Sequence, residues 1–152
     1  MIEVNETNPP ITEENVMALE AKIGATIPEP YRAFLIAHNG GQPEPDIIDI
    51  DGAPFEGADI QTFFGLGTTH ESSEISWNLE VRKGCLENKL LPIACDSGGN
   101  FFVIPLDGEE RGRVYYFSVR DDPPEPWLVA PDFNSFLDKI RDWTSEELAE
   151  FD

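Results

Sequence analysis

Outside the carboxylates, two histidines, His38 and His70, and two cysteines, Cys85 and Cys95, are the residues that could do acid–base or nucleophilic chemistry. A hydrolytic triad needs a nucleophile, a base and a group that orients the base. No Gly-x-Ser-x-Gly occurs, and neither histidine has a companion base nearby in sequence. Cys95 ends an apolar run, and Cys85 falls in a stretch with helical periodicity. Both fit buried packing better than catalysis, because a thiol becomes reactive only in an electropositive setting. His38 sits on the apolar side of a helical pattern near its end. There an imidazole meets free carbonyls, so a capping role fits better than a catalytic one. Carboxylates are so abundant that a pair of them carries no information about acid–base work. No catalytic residue is assigned, and an enzyme is not expected.

Metal and phosphate chemistry fare no better. Zinc needs clustered Cys and His, and there is no Cys-x-x-Cys. Asp46, Asp49 and Asp51 crowd together before Gly52, but the alternating oxygen ligands and terminal Glu of an EF-hand are missing, so a solvated acidic loop is the better reading. Ser97-Gly98-Gly99 lacks the following Gly-Lys-Ser/Thr of a phosphate loop and reads as a hairpin turn. No cofactor and no metal are expected. Tyr115, Tyr116, Phe117, Phe101 and Phe102 could line a base-stacking sheet, but no basic residues interleave them as RNA recognition requires.

Charge narrows the partners. The chain carries 30 acids against 10 bases, a formal charge of −20. Such a surface repels nucleic acid and anionic lipid, so neither is expected as a partner; it attracts a basic one and speeds the encounter at low salt. No apolar run approaches the roughly 18 residues of a membrane span. The first residues show no signal-peptide pattern, and two cysteines in an unsecreted chain read as free thiols, so a reducing cytoplasm is the expected location.

The elements that must position these residues can be read in order. At 152 residues, with 40% hydrophobic residues including 10 Phe and 3 Trp, the chain fits one domain with a real core. Residues 1–10 end in Pro-Pro and read as a flexible lead-in. Thr12 caps a helix with Glu13 and Glu14 in its first turn and Val16, Leu19 and Ile23 on one stripe, stopped by Gly24. Ile27-Pro28-Glu29-Pro30 opens a second helix, with Tyr31, Phe34, Leu35 and His38 on one face. Asn39, Gly40 and Gly41 end it through a left-handed glycine, and the pair should form an αα-hairpin. Ile47, Ile48 and Ile50 could form a short strand within the breaker-rich stretch Gln42–Gly57, and Phe63–Leu66 another. Thr69–Ser73 is a turn, and a helix is expected from about Glu74 to Asn88. Leu91–Cys95, Asn100–Leu106 and Arg113–Val119 are three strands. Asp96, Ser97, Gly98 and Gly99 make the first hairpin turn, where glycine enters left-handed space freely. Asp121–Pro126 reads as a loop, Trp127–Val129 as a last strand or edge, and Asp132 as the cap of a helix bearing Phe133, Phe136, Leu137 and Ile140. Residues 144–152 extend this helix or form a tail. The order helices, strands, helix predicts an α+β fold with a mainly antiparallel sheet.

Three stretches resemble the SUKH superfamily, which holds fungal cell-wall-synthesis regulators and bacterial immunity proteins. They are Ile27–Leu35 with Asn39-Gly40-Gly41, Pro92–Asn100, and Phe133-Asn134-Ser135-Phe136-Leu137. With the helix at Thr12–Ile23 the likeness spans residues 11–143. Asn100 departs from the family, which often has an acid there. The resemblance implies a single α+β domain without enzymatic activity. In bacterial members it implies neutralisation of a cognate toxin, commonly a nuclease, by direct binding. A basic toxin domain is therefore the expected protein partner, which agrees with the acidity. Asp46, Asp49, Asp51, Glu56 and Asp59 are the expected contact residues, because their stretch holds no Lys or Arg and lies outside regular elements. The alternatives are a scaffold or adaptor in cell-wall or envelope synthesis, and a small-ligand domain with its cleft between the sheet and the Gln42–Gly57 loop.

Overall fold

The computed structural model describes residues 2–53, 57–119 and 125–150. In chain order the elements are β1 (Glu3–Asn5), α1 (Glu13–Ile23), α2 (Glu29–His38), β2 (Gln42–Glu44), β3 (Ile47–Ile48), β4 (Ala58–Asp59) and β5 (Thr62–Phe63). A short 3-10 turn at Glu71–Ser73 leads into α3 (Ile75–Val81). Then come β6 (Leu90–Cys95), β7 (Phe101–Pro105), β8 (Val114–Ser118), β9 (Glu125–Ala130), α4 (Phe133–Lys139) and α5 (Ser145–Ala149). The fold is α+β, as expected. β5 to β9 form one antiparallel meander in sequence order, and β1–β2 and β3–β4 are two short antiparallel pairs beside it.

The three central strands lie within a residue of their expected bounds. Every residue of β7 is buried, so this strand is covered on both faces and reads as an unbroken apolar run. Successive side chains point to opposite faces, which separates Phe101 from Phe102. Phe102 pairs with Tyr116 across the strands and meets Phe136 of α4 edge-on at 5.5 Å. Phe133 and Phe136 then gather Phe63, Phe34 and Tyr31, which seats α4 and α2 on that face. Full burial of such a side chain is worth about 1.5–3 kcal/mol, so this aromatic cluster is a main source of cohesion. On the other face Phe101 stacks on Phe117 at 5.3 Å, and Arg82 lies over Phe101.

The helical pair follows the expected chemistry. Thr12 and Asn15 make a reciprocal capping box, Val16, Leu19 and Ile23 are buried, and Gly24 ends α1 at φ 83°. At the end of α2 the left-handed cap is Asn39 itself, at φ 50°, followed by Gly40 and Gly41 also at positive φ. Asparagine tolerates that region, and here its side chain has a further use, described below.

Five expectations are corrected. α3 stops at Val81 instead of running to Asn88. Arg82 turns extended, and Gly84 and Lys89 take positive φ, so the later apolar residues Cys85 and Leu86 pack from a looped segment. Cys85 is thus buried but not helical. Glu125 and Pro126 belong to β9; proline is tolerated because β9 is an edge strand. The rest of that expected loop, Asp121–Pro124, lies outside the described residues. Within the lead-in, Glu3–Asn5 pairs with Gln42–Glu44. Finally, the chain leaves α4 at Ile140 and starts a separate helix, α5, with its own capping box at Thr144.

Candidate partner-binding surface

Two polar junctions hold the loops around the candidate surface. The first is Asn39, 1% exposed. Its amide nitrogen donates to the carbonyls of Pro9 (2.7 Å) and Leu66 (2.8 Å), and its Oδ1 accepts from the Leu66 amide at 2.8 Å. One side chain thereby ties the N-terminal segment and the 65–67 loop to the end of α2. Gly65 permits the approach, since a Cβ there would sit 2.5 Å from the Asn39 carbonyl oxygen. The second junction is the β6–β7 turn. Buried Asp96 accepts from the amides of Gly98 (2.9 Å) and Asn100 (2.8 Å), from Asn100 Nδ2 (3.0 Å) and from the Tyr116 hydroxyl. Asn100 Oδ1 in turn accepts from the Val119 amide. An acid at position 100 would face Asp96 as a like charge, so the amide suits this turn.

Of the five expected contact acids, the structure separates two pairs, and Glu56 lies outside the described residues. Asp49 is engaged within the chain: Arg141 Nε and Nη2 donate to its two oxygens at 2.9 Å each. The same guanidinium donates to both oxygens of Glu147, and its backbone bridges Ile47 in both directions. Arg141 therefore clamps β3 to α5. Its hydrogen bonds hold the Asp49 carboxyl below the usual range and bring Glu147 to about 2. Asp51 lies 3.8 Å from Lys139. The absence of Lys and Arg from residues 42–59 is thus made good by bases from the far end of the chain.

Asp46 and Asp59 remain. They line one depression of about 330 Å³ with Ile47, Ala58, Ser97 and Trp143. Asp59 is oriented by the Ser97 amide (3.1 Å) and hydroxyl. Among the described residues no base lies within salt-bridge distance of Asp46, Asp59 or neighbouring Asp142. Partial burial raises the pKa of Asp46, and the Asp59 and Asp142 charges add to the effect. A cation entering the depression would relieve that repulsion. Trp143 stands at the rim, 45% exposed. Tryptophan with one side packed and one open is the residue type most enriched in binding hot spots. The sequence signal for it was a tryptophan between Asp142 and Thr144, off the apolar stripe of the preceding helix.

The thiols occupy quiet surroundings. Burial pushes both Cys85 and Cys95 up to about 11, so they stay protonated at neutral pH, and Cys95 Sγ meets Gln61 Oε1 at 3.7 Å. His38 packs its ring on Phe34 at 4.8 Å. No cluster of His, Cys, Asp and Glu suited to a metal ion occurs among the described residues. Among those residues no helix is long and apolar enough to cross a membrane.

A helix-clad antiparallel sheet whose ion pairs join helices to helices and to loops is an α+β domain. The family model of the SMI1 / KNR4 family (SUKH-1) matches residues 10–139, and the chain belongs to that family. The family includes immunity proteins and the SMI1/KNR4 regulators, and its members bind partner proteins. A relative in Bacillus subtilis (strain 168), the SPbeta prophage-derived uncharacterized protein YokK, is 26% identical over 149 residues, covering 86% of this chain and 75% of its own length.

Proposed function

We propose that this protein is an immunity protein of the cytoplasm, which neutralises a cognate toxin domain by occluding its basic surface. The observation that carries this reading is the depression in which Asp46 and Asp59 meet beside exposed Trp143 without a compensating base among the described residues. A nuclease must present Lys and Arg to phosphate, and an acidic inhibitor competes for those same residues. The formal charge of −20 supports fast capture, and the family includes proteins of this function. Asp49 and Asp51 serve the surface indirectly, by fixing the loop that carries Asp46.

The test is to look for a toxin domain in the neighbouring reading frame, which this reading expects, and to co-express it with this protein. Cells that die with the toxin alone should grow when this protein is present, and the two should copurify. Death despite soluble expression of both, or a pull-down from the native host that returns envelope-synthesis enzymes and no toxin, would support the adaptor role instead.

A further inference from the structure

Arg82 is held unlike the ion-paired bases of the chain. Its Nε donates to Asn78 Oδ1 at 2.9 Å. Asn78 is fully buried, and its own amide nitrogen is fixed on the carbonyls of Ser72 and Glu74, so that acceptor cannot swing away. The guanidinium carbon lies 4.1 Å from the centroid of the Phe101 ring. The Phe64 ring centroid lies 6.0 Å away as well, so the Nε edge is hydrogen-bonded and the group is packed against two rings, leaving the terminal nitrogens. Its two terminal nitrogens have no acceptor among the described residues, and no carboxylate there is within salt-bridge distance. Arg32 and Arg141, by contrast, are each paired with two acids.

In a chain of 30 acids, a half-buried guanidinium with no carboxylate at salt-bridge distance among the described residues, and only the more distant charge of Asp96 acting on it, calls for a physical reason. Burial alone disfavours its charge and lowers its pKa. Arg82 lines a cleft of about 510 Å³ whose wall also carries half-buried Trp77 and the polar groups of Gln61, Thr62 and Ser73. That volume falls in the usual range for small-ligand sites. The cleft lies across the Asp96–Gly99 turn from the Asp46–Asp59 depression, with Ser97 bordering both.

We propose that this cleft binds a small organic carboxylate, gripped by the two terminal nitrogens of Arg82 with its carbon body against Trp77. The guanidinium fork matches a planar carboxylate through two parallel N–H···O bonds. A singly charged ligand fits better than a phosphoryl group. Asp96 and Glu6 line the same cleft, so a second negative charge on the ligand adds repulsion without adding a partner cation. The cysteine in the cleft, Cys95, is protonated and takes no part in chemistry on the ligand.

The experiment is a ¹⁵N–¹H NMR titration of the full chain at neutral pH and constant ionic strength, following Arg82 Nε–H and the Trp77 indole N–H. The probes are benzoate, its neutral isostere benzamide, and inorganic phosphate. Benzoate should give saturable shifts at both sites in the millimolar range, with benzamide and phosphate at least about tenfold weaker. Arg82→Gln should abolish the benzoate response and Arg82→Lys should weaken it, with toxin binding unchanged. Equal binding of benzamide, tighter binding of phosphate, no saturable shift with benzoate, or wild-type binding by Arg82→Gln would each overturn the proposal. The comparison of benzoate with benzamide uses the unmodified protein and decides the matter even where a variant does not fold.

Discussion

Asn39 does at residue scale what a glycine cannot. It occupies a left-handed cap and spends its amide on three backbone partners, all in a buried setting. Asn39→Ala should lose about 2–4 kcal/mol, because it strands those backbone groups and adds left-handed strain. Asn39→Gly should recover only the strain, about 1 kcal/mol or less. Urea unfolding with an unchanged slope would measure both; equal stability of Asn39→Gly and wild type would show the amide bonds to be immaterial. That Asn39, Gly40 and Gly41 form a turn was legible from the sequence, because a run of asparagine and glycine after a helical stripe tolerates the left-handed backbone that ends a helix. What the Asn39 side chain touches was not, since Pro9 and Leu66 lie about thirty residues away on either side. The same distance hid Arg141: Asp49 is 92 residues from the base that neutralises it.

Elements were most readable where local signals agreed. Caps, stripes and hairpin turns placed α1, α2, α4 and the strands β6 to β8, each of which draws its pattern from adjacent residues. α3 was overread because apolar spacing continues past Val81 although Arg82 and Gly84 have left the helix. β9 was underread because Pro126 excludes a central strand but not an edge. α5 depends on the Arg141 clamp and should respond to pH. Glu147 is held at about 2 against an ordinary 4.5, and Asp49 is also lowered. A depressed carboxyl contributes stability above its unfolded pKa and loses it as pH falls through the folded one. The docking of α5 should therefore hold above about pH 4.5 and weaken progressively toward pH 2. Protection factors of the amides in residues 145–149, taken relative to intrinsic exchange at each pH, should fall severalfold over that range while those of β7 do not. Arg141→Gln should produce the same loosening at neutral pH; protection of α5 unaltered by the substitution would show that the helix docks by other means.

For the whole molecule, charge and shape act together. A formal charge of −20 favours approach by any cation, and on the proposed reading direction comes from acids that no base among the described residues pairs, on a concave surface. The sequence displayed the total charge and the acid-rich stretch. It could not separate Asp49 and Asp51, which face bases of this chain, from Asp46 and Asp59, which share a depression with Trp143. That division gives distinct kinetic expectations. Trp143→Ala should chiefly raise the dissociation rate, as loss of a packed anchor does. The measurement closest to the central claim is the association rate of the proposed cognate toxin domain across a series of salt concentrations, for wild type and for Asp46→Lys/Asp59→Lys. The double variant should associate at least about tenfold more slowly at low salt and show a flatter salt dependence. The same rate and the same slope for both proteins would contradict recognition through this depression.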